Sequence, residues 1–144
     1  MFVVDTNILV YAANDASPWN KSCRPLIESW HRRTGAWFLT WGICFEFLRV
    51  ATHGRVLPRP LGLDQAWAFL SALLASPGLR ILVPTDRFAT VASEVFAELP
   101  SLAGNALHDA ETAILMREHG VKTIYTRNLG FHRFKFIDVI DPAG

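Results

Sequence analysis

Asp5, Glu46 and Asp109 are the side chains of this sequence whose settings call for a chemical explanation. Asp5 closes the apolar run Phe2-Val3-Val4. A run with no polar alternation reads as a central parallel strand covered on both faces. Ligands of open α/β sheets bind beyond the carboxyl ends of the strands, so a carboxylate there serves either a ligand or the cap of the next helix. Glu46 lies within Trp41-Gly42-Ile43-Cys44-Phe45-Glu46-Phe47-Leu48, which is apolar almost all round. An unpaired charge is costly to bury in such a stretch. Arg49, three residues on, offers a purely structural partner; the other reading is functional. Asp109 has Asn105, Ala106, Thr112 and Ala113 on its helical face. The helix macrodipole accounts for an acid in a first turn, but not for the small residues around it.

If the three converge, each pair repels by about 4 kcal/mol at roughly 4 Å and an effective dielectric of about 20. A divalent cation relieves that repulsion. Oxygen ligands without paired His or Cys point to Mg2+ or Mn2+ rather than Zn2+. Such a centre suits phosphodiester hydrolysis, by activating water and stabilising the leaving oxygen. His108 points about 100° away from Asp109 on a helix, and His31, His119 and His132 have no ligand spacing. Basic residues gather in two groups, Arg49, His53, Arg55 and Arg59 near a central loop, and Arg127, Arg133 and Lys135 near the end. Both are candidates to grip phosphates, although each also reads as ordinary solvated charge.

The elements that must position these groups alternate. Strands are expected at Phe2–Val4, Ala36–Leu39, Arg80–Val83, Thr123–Thr126 and Phe136–Val139. Helices are expected from Ile8 to Ala13, from Trp19 to Arg33, from Thr40 through Thr52 and from Leu63 to Leu74. A further one is capped by Thr85 or Asp86 and runs to about Leu99, and the last runs from near Asn105 to a C′ glycine at Gly120. Gly54 to Gly62, with Pro58 and Pro60, reads as a loop. This alternation predicts one α/β domain, with a mostly parallel central sheet and helices on both faces. Trp67, Phe69, Leu70 and Leu73 exceed what one helix face needs, and read as core or as a groove for a partner helix.

The 144 residues fit one domain, and 51% hydrophobic and 12% aromatic content supports a real core. A net charge of +1 excludes a bulk polycation, so any nucleic-acid contact must be local. Cys23 and Cys44 lack C-x-x-C spacing and read as two thiols in a reducing compartment. No apolar run approaches the roughly 20 residues of a membrane span, and Met1 leads straight into the first strand. A cytoplasmic protein is expected.

Three blocks then resemble a known family in order and separation: Val4-Asp5-Thr6-Asn7-Ile8-Leu9, Phe45 through His53, and Leu107-His108-Asp109-Ala110. They are similar to the successive blocks of PIN domains, most closely those of VapC-type toxins of bacterial toxin–antitoxin modules. The resemblance runs from Asp5 to the Thr126–Phe131 block and the closing Ile140-Asp141-Pro142. It implies a single PIN-like domain over residues 1–144 and a Mg2+- or Mn2+-dependent endoribonuclease acting on tRNA or rRNA. It also implies a homodimer inhibited by a cognate VapB-type antitoxin with a DNA-binding domain. Asp5, Glu46 and Asp109 take the metal-coordinating places, and Thr6 and Asn7 hold the first loop and a nearby water or phosphate. Arg49, Thr126 and Arg127 fall among the expected substrate contacts.

One departure stands out. The family's T-x-D-x-x-F block, with a fourth acid, here reads Thr126-Arg127-Asn128-Leu129-Gly130-Phe131. Asn128 can offer a carbonyl oxygen or orient a water, but it brings no charge. Glu111, two residues past Asp109, is expected on the far side of that helix. One metal held firmly and a second held weakly is the expectation. Phosphoryl-transfer proteins with Asp at strand ends are a rival class, but a haloacid dehalogenase expects D-x-D where this chain has Asp5-Thr6-Asn7. A second rival is a degraded PIN-like module that binds RNA or a partner without cutting.

Overall fold

The computed structural model describes residues 1–144. The order is β1 (Val3–Val4), α1 (Thr6–Ala13), α2 (Asn20–Arg32), β2 (Trp37–Thr40), α3 (Trp41–Ala51), α4 (Leu63–Leu74), β3 (Leu79–Leu82), α5 (Phe88–Glu98), α6 (Ala106–His119), β4 (Thr123–Tyr125) and β5 (Asp138–Ile140). The strands form one sheet in the order β3-β2-β1-β4-β5, and every neighbouring pair is parallel. The mostly parallel sheet expected from the alternation is therefore parallel throughout. β1 sits at its centre, with Val3 opposite Phe38 on one side and Ile124 on the other. Val3 and Val4 are fully buried, which explains a strand with no polar face.

The helices pack in two groups, α1 to α4 in one and α5 with α6 in the other. One continuous core joins them to the sheet. At one end of it Phe2, Trp30, Trp37 and Tyr125 interlock, with Trp30 and Tyr125 rings 4.7 Å apart, edge to face. Burying side chains such as Leu9, Leu39 and Leu70 stabilises the fold by about 1.5–3 kcal/mol each. Cys23 and Cys44 are buried and unbridged; burial pushes the Cys44 thiol up to about 12, so it stays protonated. No helix is long and apolar enough to cross a membrane.

Several boundaries differ from expectation, for identifiable reasons. α5 begins at Phe88, with Arg87 rather than Thr85 or Asp86 in the cap position, because Thr85 closes the preceding turn: its hydroxyl accepts from Arg87 N and its carbonyl from Phe88 N, both at 3.1 Å. β3 stops at Leu82, since the Val83 carbonyl meets His119 Nε2 at 2.8 Å instead of a strand partner. β5 starts at Asp138, because the Phe136 ring packs on Phe134 and beneath the Arg117 guanidinium. A short 3-10 turn at Leu129–Arg133 had no sequence expectation. In α4, Leu70 and Leu73 are core, Phe69 stacks on Phe47, and Trp67 is half exposed.

Candidate active site

Asp5 is fixed from three directions where β1 passes into α1. Its backbone N–H donates to the Tyr125 carbonyl at 3.0 Å, which continues the β1–β4 ladder by one rung. One carboxylate oxygen then accepts from Thr6 N at 2.8 Å, which caps α1. The other accepts from Asn7 Nδ2 at 3.2 Å and from the Thr126 hydroxyl at 2.7 Å. Capping and site geometry are thus properties of the same side chain. Asp5 is only 9% exposed. Burial pushes its carboxyl above the ordinary value; the hydrogen bonds from Thr126 and Thr6 offset this in part, and the Asp109 charge adds to it.

Asp109 enters from the first turn of α6. Both of its oxygens accept from Asn128 Nδ2, at 3.1 Å each. Burial raises its carboxyl as well, offset by Asn128 and by the nearby Arg133 and His108. Asn128 cannot turn its carbonyl into the site, because that oxygen accepts from Gly130 N at 2.9 Å and caps the 3-10 turn. The amide therefore faces Asp109 with its donor end. Gly130 makes this close approach possible: a Cβ there would lie 2.9 Å from Asp109 Oδ2 and 3.0 Å from Asn128 Oδ1.

Glu46 departs from its expected setting. The apolar stretch around it is not buried all round, for Trp41 and Phe45 are exposed at 45% and 65%. Glu46 shares this open face of α3 and takes the structural partner foreseen for it. Arg49 donates through Nη2 at 2.7 Å and Nε at 3.1 Å, a bidentate pair. Hydrogen bonding from Arg49 holds the Glu46 carboxyl below its ordinary value.

All three acids line one cleft of about 1400 Å3. No three His, Cys, Asp or Glu side chains close around a single point, with Glu46 drawn to Arg49. The donor set nonetheless fits a hard cation: every candidate ligand is oxygen, and the Asp109 charge raises the proton affinity of the buried Asp5, a repulsion that a bound cation would relieve.

Thr126 is 1% exposed, and its hydroxyl also accepts from Asn7 Nδ2 at 3.0 Å and Asn128 N at 2.9 Å. It positions Asp5, Asn7 and Asn128 from behind, out of a substrate's reach. Asn7 Oδ1 accepts from Arg127 N at 3.1 Å, while the Arg127 guanidinium is held by Asp141. Thr6 Oγ1 reaches the Ile43 carbonyl at 3.4 Å and ties α1 to α3. Glu111 corrects an expectation. It lines the cleft instead of the far side, and a Cβ on Gly42 would lie 3.1 Å from its Oε1. The first half of α6 lines the cleft with His108, Asp109, Glu111 and Thr112, so Glu111 reaches it as well.

Against known proteins, the PIN domain family model matches residues 2–137. The chain is 31% identical over 138 residues to "Ribonuclease VapC48" of Mycobacterium tuberculosis, covering 96% of this chain and 94% of that protein. The chain belongs to the PIN-domain family of VapC ribonucleases. "Ribonuclease VapC43" of the same organism is 32% identical, over 94% of this PIN domain and 90% of its own length. Solved structures share the fold at lower identity. The M. tuberculosis VapC20 structure, titled a Sarcin-Ricin loop cleaving toxin, superposes with a TM-score of 0.69 at 17% identity, covering 95% of this chain and 97% of that one. VapBC2 from Rickettsia felis, bound to a fragment of its promoter DNA, gives 0.68 at 20% identity, with 96% of each chain covered.

Proposed function

We propose that this PIN domain is a Mg2+- or Mn2+-dependent endoribonuclease, the toxin of a toxin–antitoxin pair, that hydrolyses phosphodiester bonds in tRNA or rRNA. The observation that carries this reading is the pairing of Asp5 and Asp109: a buried and a half-buried carboxylate line one cleft, and the Asp109 charge adds to the raised proton affinity of Asp5. Asp5, Asp109 and Glu46 would hold the cation. When bound, it would supply a water of lowered pKa and a counter-charge for the leaving oxygen. Asp5 is set in place by Thr126, Asn7 and Thr6 and needs no rearrangement. Asn128 holds Asp109 with both oxygens in register. Glu46 joins by leaving Arg49, which frees the guanidinium for a substrate phosphate. With Asn128 neutral, one cation binds firmly and a second gains its place with the RNA. Two tight Mn2+ sites in calorimetry of the free protein would count against that.

The partner reading rests on position. Trp41 and Phe45 leave an apolar face open beside the acids, suited to a segment of a cognate VapB-type antitoxin. Residues of this kind also suit a homodimer.

The test is purified protein incubated with total RNA, with and without Mn2+, beside Asp5→Asn. Metal-dependent cleavage that disappears in the variant is the expected result. RNA binding without cleavage at any metal concentration would favour the degraded binding module, the reading that the neutral Asn128 supports.

A further inference from the structure

The cleft extends beyond its acids to a wall of different chemistry. Along α1, Asn7 and Tyr11 are one turn apart and both line it. Past the end of α1, Trp19 lines it too and remains 36% exposed. The Trp19 ring is held in place by two neighbours. Tyr11 packs against it at 4.8 Å between ring centroids, and the Arg127 guanidinium lies over it at 4.5 Å. Arg127 is itself anchored by Asp141.

The backbone beneath is equally constrained. Trp19 N donates to Ser17 Oγ at 3.1 Å, and the Trp19 carbonyl accepts from Ser22 N and Cys23 N. Asn20 Nδ2 bridges to the Tyr11 and Ala12 carbonyls, which locks this corner onto α1. A chain of contacts thus runs from Asp5 through Asn7 to the Arg127 backbone, and from the Arg127 side chain to Trp19.

We infer that Trp19, backed by Tyr11 and Arg127, is a nucleobase-stacking subsite for single-stranded RNA held next to the acidic centre. The inference rests on the nuclease reading for the substrate class, and on the ring's own geometry for the rest. The part of the Trp19 ring left open to the cleft is held rigid by its two neighbours, at no cost to a ligand. Every base has a π face to set on it, so stacking is sequence-tolerant. Arg127 strengthens this function indirectly: with its charge engaged by Asp141 and by the ring, it orients Trp19 and leaves phosphate contact to other cations.

The test compares Trp19→Phe with Trp19→Leu. Both keep an apolar filler against Tyr11, and only phenylalanine can stack. The probe is a fluorescein-labelled single-stranded oligouridylate, measured in EDTA so that it stays intact, beside the same backbone made of abasic units. The leucine variant should lose on the order of tenfold in affinity for the base-bearing probe, and the phenylalanine variant much less. Neither should change affinity for the abasic probe. Equal affinities for the two variants, or a parallel loss on the abasic probe, would overturn the subsite. The two proposals fail separately. Base-dependent binding without metal-dependent cleavage would remove the nuclease and keep the subsite, and cleavage indifferent to Trp19 would do the reverse.

Discussion

Asp5 carries two opposed demands, and its titration exposes both. Burial lifts the Asp5 and Asp109 carboxyls above their ordinary values, so the folded chain holds these protons more tightly than the unfolded chain does. Their contribution is fullest below the unfolded pKa and is lost as pH rises through the raised folded value. As pH rises from the unfolded pKa these raised carboxyls therefore favour folding less, and Asp5→Asn, which has no such proton to lose, should gain stability relative to wild type while losing activity. Its advantage should shrink as pH falls; equal gaps in urea midpoint at pH 7 and pH 5 would refute this. Thr126→Val removes a donor from Asp5 Oδ2 in a buried setting and an acceptor from Asn7 and Asn128 in a partly buried one. A loss of about 1–3 kcal/mol is expected, with the acid limb of the pH–rate profile moved upward. Arg49 should behave differently. Its pair with Glu46 is largely exposed, with side chains 61% and 46% open, so Arg49→Ala should leave the melting temperature almost unchanged. By releasing Glu46 it should also tighten Mn2+ binding to the free protein, and calorimetry would read an unchanged or weaker affinity as a contradiction.

At the scale of elements, the site is made where strand ends meet helix starts. Gly130 sits in the one short element that backs Asp109 from the other side. Gly130→Ala would set a Cβ against Asp109 Oδ2 and Asn128 Oδ1, so metal affinity and cleavage should fall at least tenfold. The melting temperature should move by only a few degrees, because Gly130 itself is only half-buried. Melting far below wild type would mean the turn serves folding more than the site. The same junctions explain what the sequence revealed. β1, α1 and α6 were legible because an unbroken apolar run, a capping acid and a C′ glycine each have one physical meaning. Gly120 is indeed left-handed, with φ 69°. Glu46 was misread because apolar composition on α3 does not distinguish a buried face from an open one carrying Trp41 and Phe45. Glu111 was misread because spacing from Asp109 alone ignores the width of the cleft, which His108, Glu111 and Thr112 line as well. Trp19 gave no local sign at all: its partner Arg127 comes from the far end of the sequence, and only the fold sets the two together.

For the molecule as a whole, one core unites the sheet with both helix groups, so a ligand at the acids should stabilise everything at once. Mn2+ at a hundredfold excess over its Kd should add about 2.7 kcal/mol. The melting temperature should rise in wild type and not in Asp5→Asn; a rise in both would place the cation elsewhere. The bond from Thr126 to Asp5 spans 121 positions of the chain, and the central strand receives its second neighbour only when β4 exists. A nascent chain carries Asp5, Thr6 and Asn7 well before it carries Thr126 and Asn128, which complete the hold on Asp5 and on Asp109. Nuclease competence therefore arrives only once the Thr126–Asn128 segment has been made, so a ribosome that stalls or releases the chain before it leaves a fragment without a working centre.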